Sequence, residues 1–215
     1  MNILVTAGPT REAIDPVRFL SNRSSGKMGY AIAEAAVAGG HNVRLVSGPV
    51  SLAPPRAAET YAVESAADML EAVLASFGWC DVLIMCAAVA DWRPSQKATH
   101  KIKKKDNINC LQLERTADIL QEVAAHKQKQ IVVGFAAETR NMIEEARRKL
   151  DLKKLDLIVA NDVSRSDAGF AADTNAVTLI TSQDMVELPL MPKSEVARKI
   201  LLWIESADTS SRQGS

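Results

Sequence analysis

Short apolar runs alternate along this chain with segments of helical periodicity, and this alternation limits the fold more than any other feature of the sequence. The strand-like runs lie at residues 2–7, 43–47, near Tyr61, and at residues 82–88, 131–136 and 157–160. The helical segments lie at residues 27–38, 65–77, 118–126 and 142–153. Strands that alternate with helices form a parallel sheet with right-handed crossovers. We therefore predict an α/β fold, a Rossmann-like three-layer parallel sheet with helices on both faces.

The pattern changes near the end of the chain. Residues 176–180 and 186–190 are two apolar runs with Ser-Gln-Asp at residues 182–184 between them, which predicts an antiparallel hairpin at the edge of the sheet. A last helix is predicted at residues 194–205. Because we find no internal repeat and no interdomain linker, we predict one nucleotide-binding domain over residues 1–206. The polar segment 207–215 is predicted to be a disordered tail.

The composition excludes several classes of protein. The 215 residues carry 26 basic and 26 acidic side chains, a net charge of zero, whereas nucleic-acid-binding domains are usually strongly basic. The longest apolar run, residues 82–90, is about half of the ~20 residues that span a bilayer. Cys80, Cys86 and Cys110 form no Cys-x-x-Cys pair, which favours reduced thiols. We expect a cytoplasmic protein that binds neither nucleic acid nor membranes.

Two common nucleotide-binding motifs are missing from the places where this fold would carry them. A dinucleotide-binding domain has G-x-G-x-x-G directly after its first strand and an acidic residue at the end of its second. Here Gly8 is followed by Pro9, the next glycine is Gly26, and residues 47–49 read SGP. Neither tyrosine begins the Tyr-x-x-x-Lys of short-chain dehydrogenases, and the rest of a P-loop is missing around Gly26. Standard dinucleotide and P-loop chemistry therefore fit poorly.

Four unusual segments come at the predicted carboxyl ends of strands, where open α/β sheets bind ligands. The first is the long loop of residues 8–25, which contains Arg18 and leads through the run SNRSSGKMG, residues 21–29, into a helix. The N–H groups at a helix start bind anions, and serines beside a glycine let a phosphate approach closely. The alternative is that Ser24 or Ser25 caps the helix.

The second and third segments combine small residues with charge. Residues 86–93 read CAAVADWR, so a ligand could touch the backbone of a strand end with Asp91 at its rim; the alternative is tight packing of strand and helix. Residues 101–105 read KIKKK. This run is either a solvated face or a flap whose lysines close over a polyanion such as a triphosphate.

The fourth segment comprises residues 134–139 and the helix after it. Lys149 and Lys153 are four residues apart and therefore lie on one face of that helix. Phe135 could stack on a base. The alternatives are a core phenylalanine and a surface ion pair between Glu145 and Lys149. Each signal is weak by itself, and their coincidence at strand ends predicts a site for a phosphorylated ligand.

Together these segments resemble the phosphopantothenate–cysteine ligase family, the synthetase half of the bacterial bifunctional coenzyme A biosynthesis proteins. The stretches that carry the resemblance are residues 6–12 (TAGPTRE), 15–18 (DPVR), 21–29, 86–91 (CAAVAD), 101–104 (KIKK), 134–139 (GFAAET) and 160–162 (AND). They occur in the order found in the family, and the likeness covers about residues 2–205.

The resemblance implies a two-step reaction. CTP would convert the carboxylate of 4′-phosphopantothenate to an acyl-cytidylate with loss of pyrophosphate. The amine of cysteine would then displace CMP to give 4′-phosphopantothenoylcysteine. A carboxylate needs such activation because its oxygen is a poor leaving group, and the first step depends on positioning and charge neutralisation. The preference for CTP over ATP rests on the resemblance alone.

The resemblance also implies roles for individual residues. Asn22 would hold the acyl-nucleotidylate and assist its use, Arg18 would bind the substrate phosphate, and Lys101 would be the catalytic lysine of a flap. The substrate would also contact Ala87 and Ala88. The nucleotide contacts would be Met85, Cys86, Ala87, Asp91, Lys101, Ala117, Asp118, Ile119, Leu120, Phe135, Lys149 and Lys153.

The family further implies cofactors and partners. Mg²⁺ would accompany the CTP, with no metal ligands assigned, and no flavin or NAD is expected in this chain. The family is typically dimeric, so we expect a homodimer, with the late hairpin as an edge for pairing. The chain would be a free-standing ligase or an excised synthetase domain. It departs from the family at Ala117, where proline is common, and at Trp92, where tyrosine is common.

Two other functions stay open at this point. One is an NAD(P)-dependent oxidoreductase on the same topology, against which the missing Tyr-x-x-x-Lys and the missing acid after the second strand both count. The other is a nucleic-acid-binding module that uses the lysines of residues 97–105. No aromatic side chain interleaves those lysines, which makes this module less favoured than the ligase.

Overall fold

The chain is described by a computed structural model over residues 1–103, 109–138, 142–162 and 172–213. Its strands are β1 (Asn2–Ala7), β2 (Arg11–Ala13), β3 (Phe19–Ser21), β4 (Asn42–Ser47), β5 (Glu59–Ala62), β6 (Val82–Met85), β7 (Trp92–Pro94), β8 (Leu113–Arg115), β9 (Ile131–Glu138), β10 (Leu157–Asp162), β11 (Thr174–Ile180) and β12 (Met185–Pro192). Its helices are α1 (Lys27–Ala38), α2 (Ala66–Phe77), α3 (Ile119–His126), α4 (Met142–Leu152) and α5 (Lys193–Gln213).

Eight of the strands form one sheet in the order β12-β11-β10-β9-β6-β1-β4-β5. In this sheet the neighbours among β10, β9, β6, β1, β4 and β5 pair in parallel, whereas β11 and β12 are antiparallel strands at one edge. The predicted α/β fold and its C-terminal edge hairpin are therefore confirmed. From β1 the chain builds outward first to β4 and β5 and later to β6 and β9. This reversal places a crevice at the carboxyl ends of β1 and β6.

The sheet separates two apolar cores because successive side chains of a strand point to opposite faces. On β1, Ile3 and Val5 pack on one face in the core that α1 and α5 complete, whereas Leu4 packs on the other with residues of α2 and α3. All three side chains are fully buried. Such burial stabilises the fold by about 1.5–3 kcal/mol for each side chain.

Several predicted boundaries shift for identifiable reasons. The central strand was predicted to run to residue 88, but β6 ends at Met85 because the hydroxyl of Thr6 takes the next two backbone N–H groups. The capping box that opens α2 is present, with Ser65 and Asp68 bonded reciprocally. The antiparallel strand pairs β2–β3 and β7–β8 were not predicted, since strands of three residues are too short to show a periodicity.

The last helix is longer than predicted. Helix α5 continues to Gln213. Residues 207–213 are therefore helical, whereas the sequence predicted a disordered tail over residues 207–215. The buried residues of α5 described here end at Ile204, so the added turns lie beyond the core. Within the described ranges, no helix is both long enough and apolar enough to cross a membrane.

Candidate active site

A cleft of about 710 Å³ opens at the crevice between the carboxyl ends of β1 and β6. One wall is the segment that enters α1, the floor is the strand end after β6, and the opposite wall is the segment that enters α3. Phe135 on β9 closes the floor, since it is half-buried and packs against the core while also lining the cleft. The first, second and fourth of the segments singled out from the sequence therefore meet in one place, whereas the described residues of the third, 101–103, do not line the cleft.

Threonine hydroxyls shape the floor of this cleft. Thr6 Oγ1 accepts hydrogen bonds from the backbone N–H groups of Cys86 and Ala87, both at 3.1 Å. Thr10 Oγ1 accepts one from the N–H of Ala90 at 2.9 Å. Both threonines are fully buried. Their hydroxyls accept the hydrogen bonds that a neighbouring strand would otherwise accept, so the backbone after β6 can leave the sheet with these N–H groups paired. A ligand can then lie against the small side chains of this segment.

Asn22 is fixed over this floor. Its Nδ2 donates to the carbonyl oxygens of Ala88 at 2.9 Å and Val89 at 3.1 Å. Both bonds use the amide nitrogen, which leaves the amide oxygen to accept from a ligand. The side chain is exposed and lines the cleft, and the role predicted for it, holding the acyl-nucleotidylate, stays a prediction.

The start of α1 supplies backbone donors to the cleft. The N-cap residue is Gly26, with φ 78°, so neither Ser24 nor Ser25 is the cap residue and the capping alternative is wrong. Lys27, Met28 and Gly29 line the cleft as the first helical turn. The N–H groups of a first turn have no partner inside the helix and carry partial positive charge. An anionic ligand would satisfy both demands.

The start of α3 forms the opposite wall. Asp118 is the N-cap residue and its Oδ1 accepts from the N–H of Gln121 at 3.2 Å. Lys153, which follows α4, reaches across to Asp118 at 2.8 Å. Helix α3 therefore begins where the sequence predicted, although Ala117 replaces the proline common in the family. Lysine and aspartate neutralise each other, so this wall is less cationic than the lysines alone suggest.

Arg18 and Lys101 do not line the cleft. Arg18 forms a clamp with Asp15 and Ile102, and Lys101 directly precedes Ile102. Asp15 is buried, and its Oδ2 accepts from Arg18 Nε at 3.0 Å and from the backbone N–H of Ile102 at 3.1 Å. Arg18 Nη2 also bonds Asp15 and donates to the Ile102 carbonyl at 2.9 Å. The guanidinium holds the pKa of the Asp15 carboxyl far below its usual range. The clamp thus holds the backbone of Ile102, the residue that follows Lys101.

The family model for the DNA/pantothenate metabolism flavoprotein C-terminal domain matches residues 1–207. The chain belongs to this family. It is 55% identical over 202 residues to the coenzyme A biosynthesis bifunctional protein CoaBC of Bacillus subtilis, and 48% identical over 206 residues to that of Escherichia coli. These matches cover 93% and 94% of this chain but 50% of each relative, so the chain spans about half the length of the curated relatives it matches.

Solved structures of the family share the fold. The crystal structure of the C-terminal domain of a CoaBC protein is 50% identical, with a TM-score of 0.84, and the match covers 97% of this chain and 96% of that one. The family protein of Streptococcus pneumoniae is 26% identical with a TM-score of 0.84, over 96% and 99% of the two chains. A Cab2 mutant in complex with phosphopantothenate-cysteine shares the fold alone, at 16% identity and a TM-score of 0.81 over 99% and 88%.

Most of the predicted residues of this family site are brought together. Those that line the cleft are Asn22, Met85, Cys86, Ala87, Ala88, Asp91, Ala117, Asp118, Ile119, Leu120, Phe135 and Lys153. Those that do not line it are Arg18, Lys101 and Lys149. Of the predicted flap and the fourth segment, Lys104, Lys105 and Thr139 lie outside the described residues.

The cleft also contains polar residues that the sequence did not single out as site residues. These are Lys27, Arg115, Thr116, Asn161, Asn175 and Lys193. Lys193 and Asn175 are 6% and 3% exposed, which is unusual for their residue types. A lysine directly after an edge strand and before a helix is ordinary in sequence. Only the packing of α5 beside α1 brings Lys193 to the site, so no local signal could have identified it.

Proposed function

We propose that this domain is a ligase that joins 4′-phosphopantothenate to cysteine with CTP. The observation that carries the proposal is the cleft itself, in which the open start of α1, the small-residue floor after β6 and the Asn22 amide face one volume. Membership of the family, and similarity along nearly the whole chain to the C-terminal domain of a CoaBC protein, support the same conclusion.

The two proposed steps balance in atoms and charge. A carboxylate oxygen of phosphopantothenate attacks the α-phosphorus of CTP, the bond to the β-phosphate breaks, and pyrophosphate leaves with its electron pair. The cysteine nitrogen then attacks the acyl carbon, the acyl–oxygen bond breaks, CMP leaves, and the amine gives up a proton. Both steps need close alignment and stabilisation of negative charge, and a rigid crevice with backbone donors can supply both.

Positions in the cleft suggest where each part of the ligands binds. The phosphates belong at the start of α1, where backbone N–H groups are available. The base and ribose belong between Phe135, the start of α3 and Lys153. The acyl group belongs beside Asn22 and Ala88, over the floor. Lys149, on α4, does not line the cleft, and its contact with the nucleotide is proposed from the resemblance alone.

Arg18 and Lys101 would act from the clamp that holds their two segments together. Arg18 is proposed to bind the substrate phosphate and Lys101 to stabilise charge during nucleotidylyl transfer. Because the backbone of Ile102 is bonded to Asp15, Lys101 sits next to a fixed point.

Mg²⁺ is proposed to enter with the triphosphate. Among the described residues, no three His, Cys, Asp or Glu side chains cluster as a metal cage would require. This fits Mg²⁺, which usually keeps several waters and binds through substrate phosphates and one or two carboxylates. Asp91 lines the cleft and is the carboxylate best placed to share such an ion, since Asp118 already pairs with Lys153.

The deciding experiment supplies all three substrates with Mg²⁺ and follows pyrophosphate, CMP and the amide. We expect stoichiometric formation of the three products with CTP. Competition of ATP against CTP in the same assay then tests the nucleotide preference. Absence of product with every nucleotide would contradict the ligase proposal, and product with ATP alone would contradict only the assignment of CTP.

Asn22→Ala tests the role proposed for the amide. The side chain is exposed, so the variant should fold normally while its turnover falls by about 100-fold or more, as for loss of a group that stabilises developing charge. Asn42→Ala is the matched control, because Asn42 is exposed at the opposite end of the sheet, where its Nδ2 donates to Asn2 Oδ1. Normal turnover of the Asn22 variant would show that this residue is not catalytic.

The assembly and location expected for the family are part of the proposal. We propose a cytoplasmic homodimer. The outer strand β12 supports this, since Val186 and Leu190 are exposed on it beside an unpaired edge of the described sheet. Light scattering should give twice the mass of one chain, and Val186→Lys should shift it toward the monomer. A monomeric wild type would contradict the proposed dimer.

A further inference from the structure

Two lysines at the starts of two helices face the same cleft. Lys27 is the first residue of α1 and Lys193 the first residue of α5, and both line the cleft. Lys193 is only 6% exposed. Its Nζ donates to the carbonyl of Ala172. Because a buried ammonium group is costly unless its charge is compensated, its place beside a second lysine requires an explanation.

The compensating carboxylate lies behind the lysines. Asp173 accepts from Lys27 Nζ at 2.6 Å, and its own carbonyl accepts from the backbone N–H of Lys193 at 2.9 Å. Asp173 does not line the cleft; it lines a second cavity, of about 530 Å³, with the two lysines. Its side chain is 88% exposed. The cluster therefore presents two positive charges to the cleft and one negative charge to the other side.

The electrostatics of this cluster favour an anion in the cleft. Burial and the nearby charge of Lys27 lower the pKa of Lys193, whereas the Asp173 carboxylate raises it. The first turn of α1 contains no acidic residue and adds partial positive charge from its N–H groups. Two ammonium groups and a helix start therefore face the cleft together.

The same wall holds polar atoms that lack partners. Asn161 Oδ1 and Asn175 Oδ1 are buried and have no hydrogen-bond partner among the described residues. Asn175 is 3% exposed, and both asparagines line the cleft with Lys193. Buried polar side-chain atoms nearly always have a partner, so a wall with two orphaned amides is built for a polar ligand.

We propose that Lys193, with Lys27, binds the β- and γ-phosphates of the nucleotide, the part that leaves as pyrophosphate. This inference rests on the proposed function. The charge of Lys193 acts on Cys86, two residues before the Ala88 carbonyl that fixes Asn22. Lys27, Lys193 and Cys86 line the same cleft as Asn22 and Ala88, where acyl transfer is proposed. The α-phosphate would lie between the lysines and that site of transfer, and the lysines would stabilise the departing pyrophosphate.

Calorimetric titration with inorganic pyrophosphate and with CMP, in buffer containing Mg²⁺, tests this assignment. Lys193→Met removes the charge and keeps an unbranched apolar side chain. It should weaken pyrophosphate binding by about tenfold or more, the effect of losing one charged hydrogen bond, and change CMP binding less than about twofold. Lys193→Arg should retain most of the affinity for pyrophosphate. Lys199→Met, an exposed lysine on the same helix, is the control and should bind both ligands normally.

Asp173→Asn should change the affinity for pyrophosphate in the opposite direction. This test does not require a substitution at a buried residue. Because Asp173 competes with the ligand for the lysines, its neutralisation should tighten pyrophosphate binding by several-fold. Unchanged pyrophosphate affinity in Lys193→Met, or equal losses for pyrophosphate and CMP, would overturn the assignment. Selective loss of pyrophosphate binding in a protein without ligase activity would support the anion site and overturn the ligase proposal instead.

Discussion

At the scale of single residues, buried hydroxyls decide the shape of the site. Thr6 belongs to β1, yet its hydroxyl serves the backbone beyond the end of β6 by accepting from Cys86 and Ala87. A valine of similar size would fill the same space without accepting either bond. The position therefore needs a threonine for its oxygen rather than for its strand propensity.

Thr6→Val should destabilise the fold and loosen the floor of the cleft. Two N–H groups would lose their acceptor, with a cost of about 1–3 kcal/mol, because a donor left unpaired inside the protein is not compensated by water. Urea unfolding measures the loss, and the KM for nucleotide should rise in parallel. Thr60→Val on the exposed strand β5 is the control. Equal stability of the Thr6 variant and wild type would contradict this role.

The clamp around Asp15 makes a prediction about pH. Its pKa lies below the ordinary value of 3.8 in the folded protein, chiefly because of the bond from Arg18. A depressed pKa means that the carboxylate stabilises the folded state above pH 3.8, and that this stabilisation is lost as the pH falls through the lower folded pKa. Asp15→Asn should therefore be less stable than wild type at pH 7.

Denaturation at pH 7, 5 and 3 measures this difference between Asp15→Asn and wild type. The gap in the free energy of unfolding should be constant between pH 7 and 5 and should shrink as the pH is lowered below 3.8. Glu71→Gln, an exposed acid on α2, should show no gap at any pH. A gap that stays constant down to the lowest pH would mean that the charge of Asp15 is not what stabilises the clamp.

At the scale of elements, one close contact sets the position of α1 on the sheet. A Cβ on Gly29 would lie 2.6 Å from the Cβ of Ala7 and 2.9 Å from the carbonyl oxygen of Thr6. Helix and strand therefore touch through backbone, and the first turn of α1 is held directly over the end of β1. The anion-binding start of the helix depends on this approach.

Gly29→Ala should push α1 away from β1. Overpacking of a rigid contact costs about 1–3 kcal/mol, and the displaced first turn should also weaken nucleotide binding. Gly78→Ala is the matched control, because Gly78 has an ordinary helical φ of −69° and a Cβ there would meet nothing within 4 Å. Thermal unfolding and CTP titration of both variants provide the comparison. A Gly29 variant as stable as the Gly78 variant would show that α1 can shift without cost.

At the scale of the whole molecule, α5 closes the core that α1 begins. Val196, Ala197, Ile200, Leu201 and Ile204 are buried on α5 and belong to the same core as Ile32 and Ala36 of α1. Beyond Ile204, His41 bonds Glu205 at 3.1 Å. Residues 207–209, the next along the helix, are not buried.

Removal of residues 208–215 should therefore leave the protein intact. The melting temperature should change by less than about 2 °C, the shift expected from surface changes of ~0.5 kcal/mol in a chain of this size. A chain that ends at Lys199 is the contrasting case, since it loses Ile200, Leu201 and Ile204 and with them about 5–9 kcal/mol of burial. A large effect of the shorter deletion would assign a structural role to the last turns.

Much of this arrangement was predictable from the sequence, and the features that were not predicted were missed for physical reasons. Helix α1 has the predicted bounds because Gly39 and Gly40 end it and its apolar period is regular. The short strand pairs β2–β3 and β7–β8 were missed because hydrogen bonds between the strands define them, and three residues show no hydrophobic periodicity. Three of the four strand-end segments meet as expected, whereas residues 101–103 of the lysine run do not line the cleft. Lys193 was missed because its role depends on α5 packing beside α1, which no local pattern encodes.

The pairing of α1 with α5 has a consequence for how this protein is made. Lys27 and Asp173, joined in the finished site, are separated by 146 residues of chain. A ribosome that adds about 5–20 residues per second would expose the apolar face of α1 for roughly 7 to 30 s before its partner emerges. The nascent chain must wait in an unfinished state during that interval, and chaperone binding should concentrate on this helix. Activity can begin only after the last helix has left the exit tunnel.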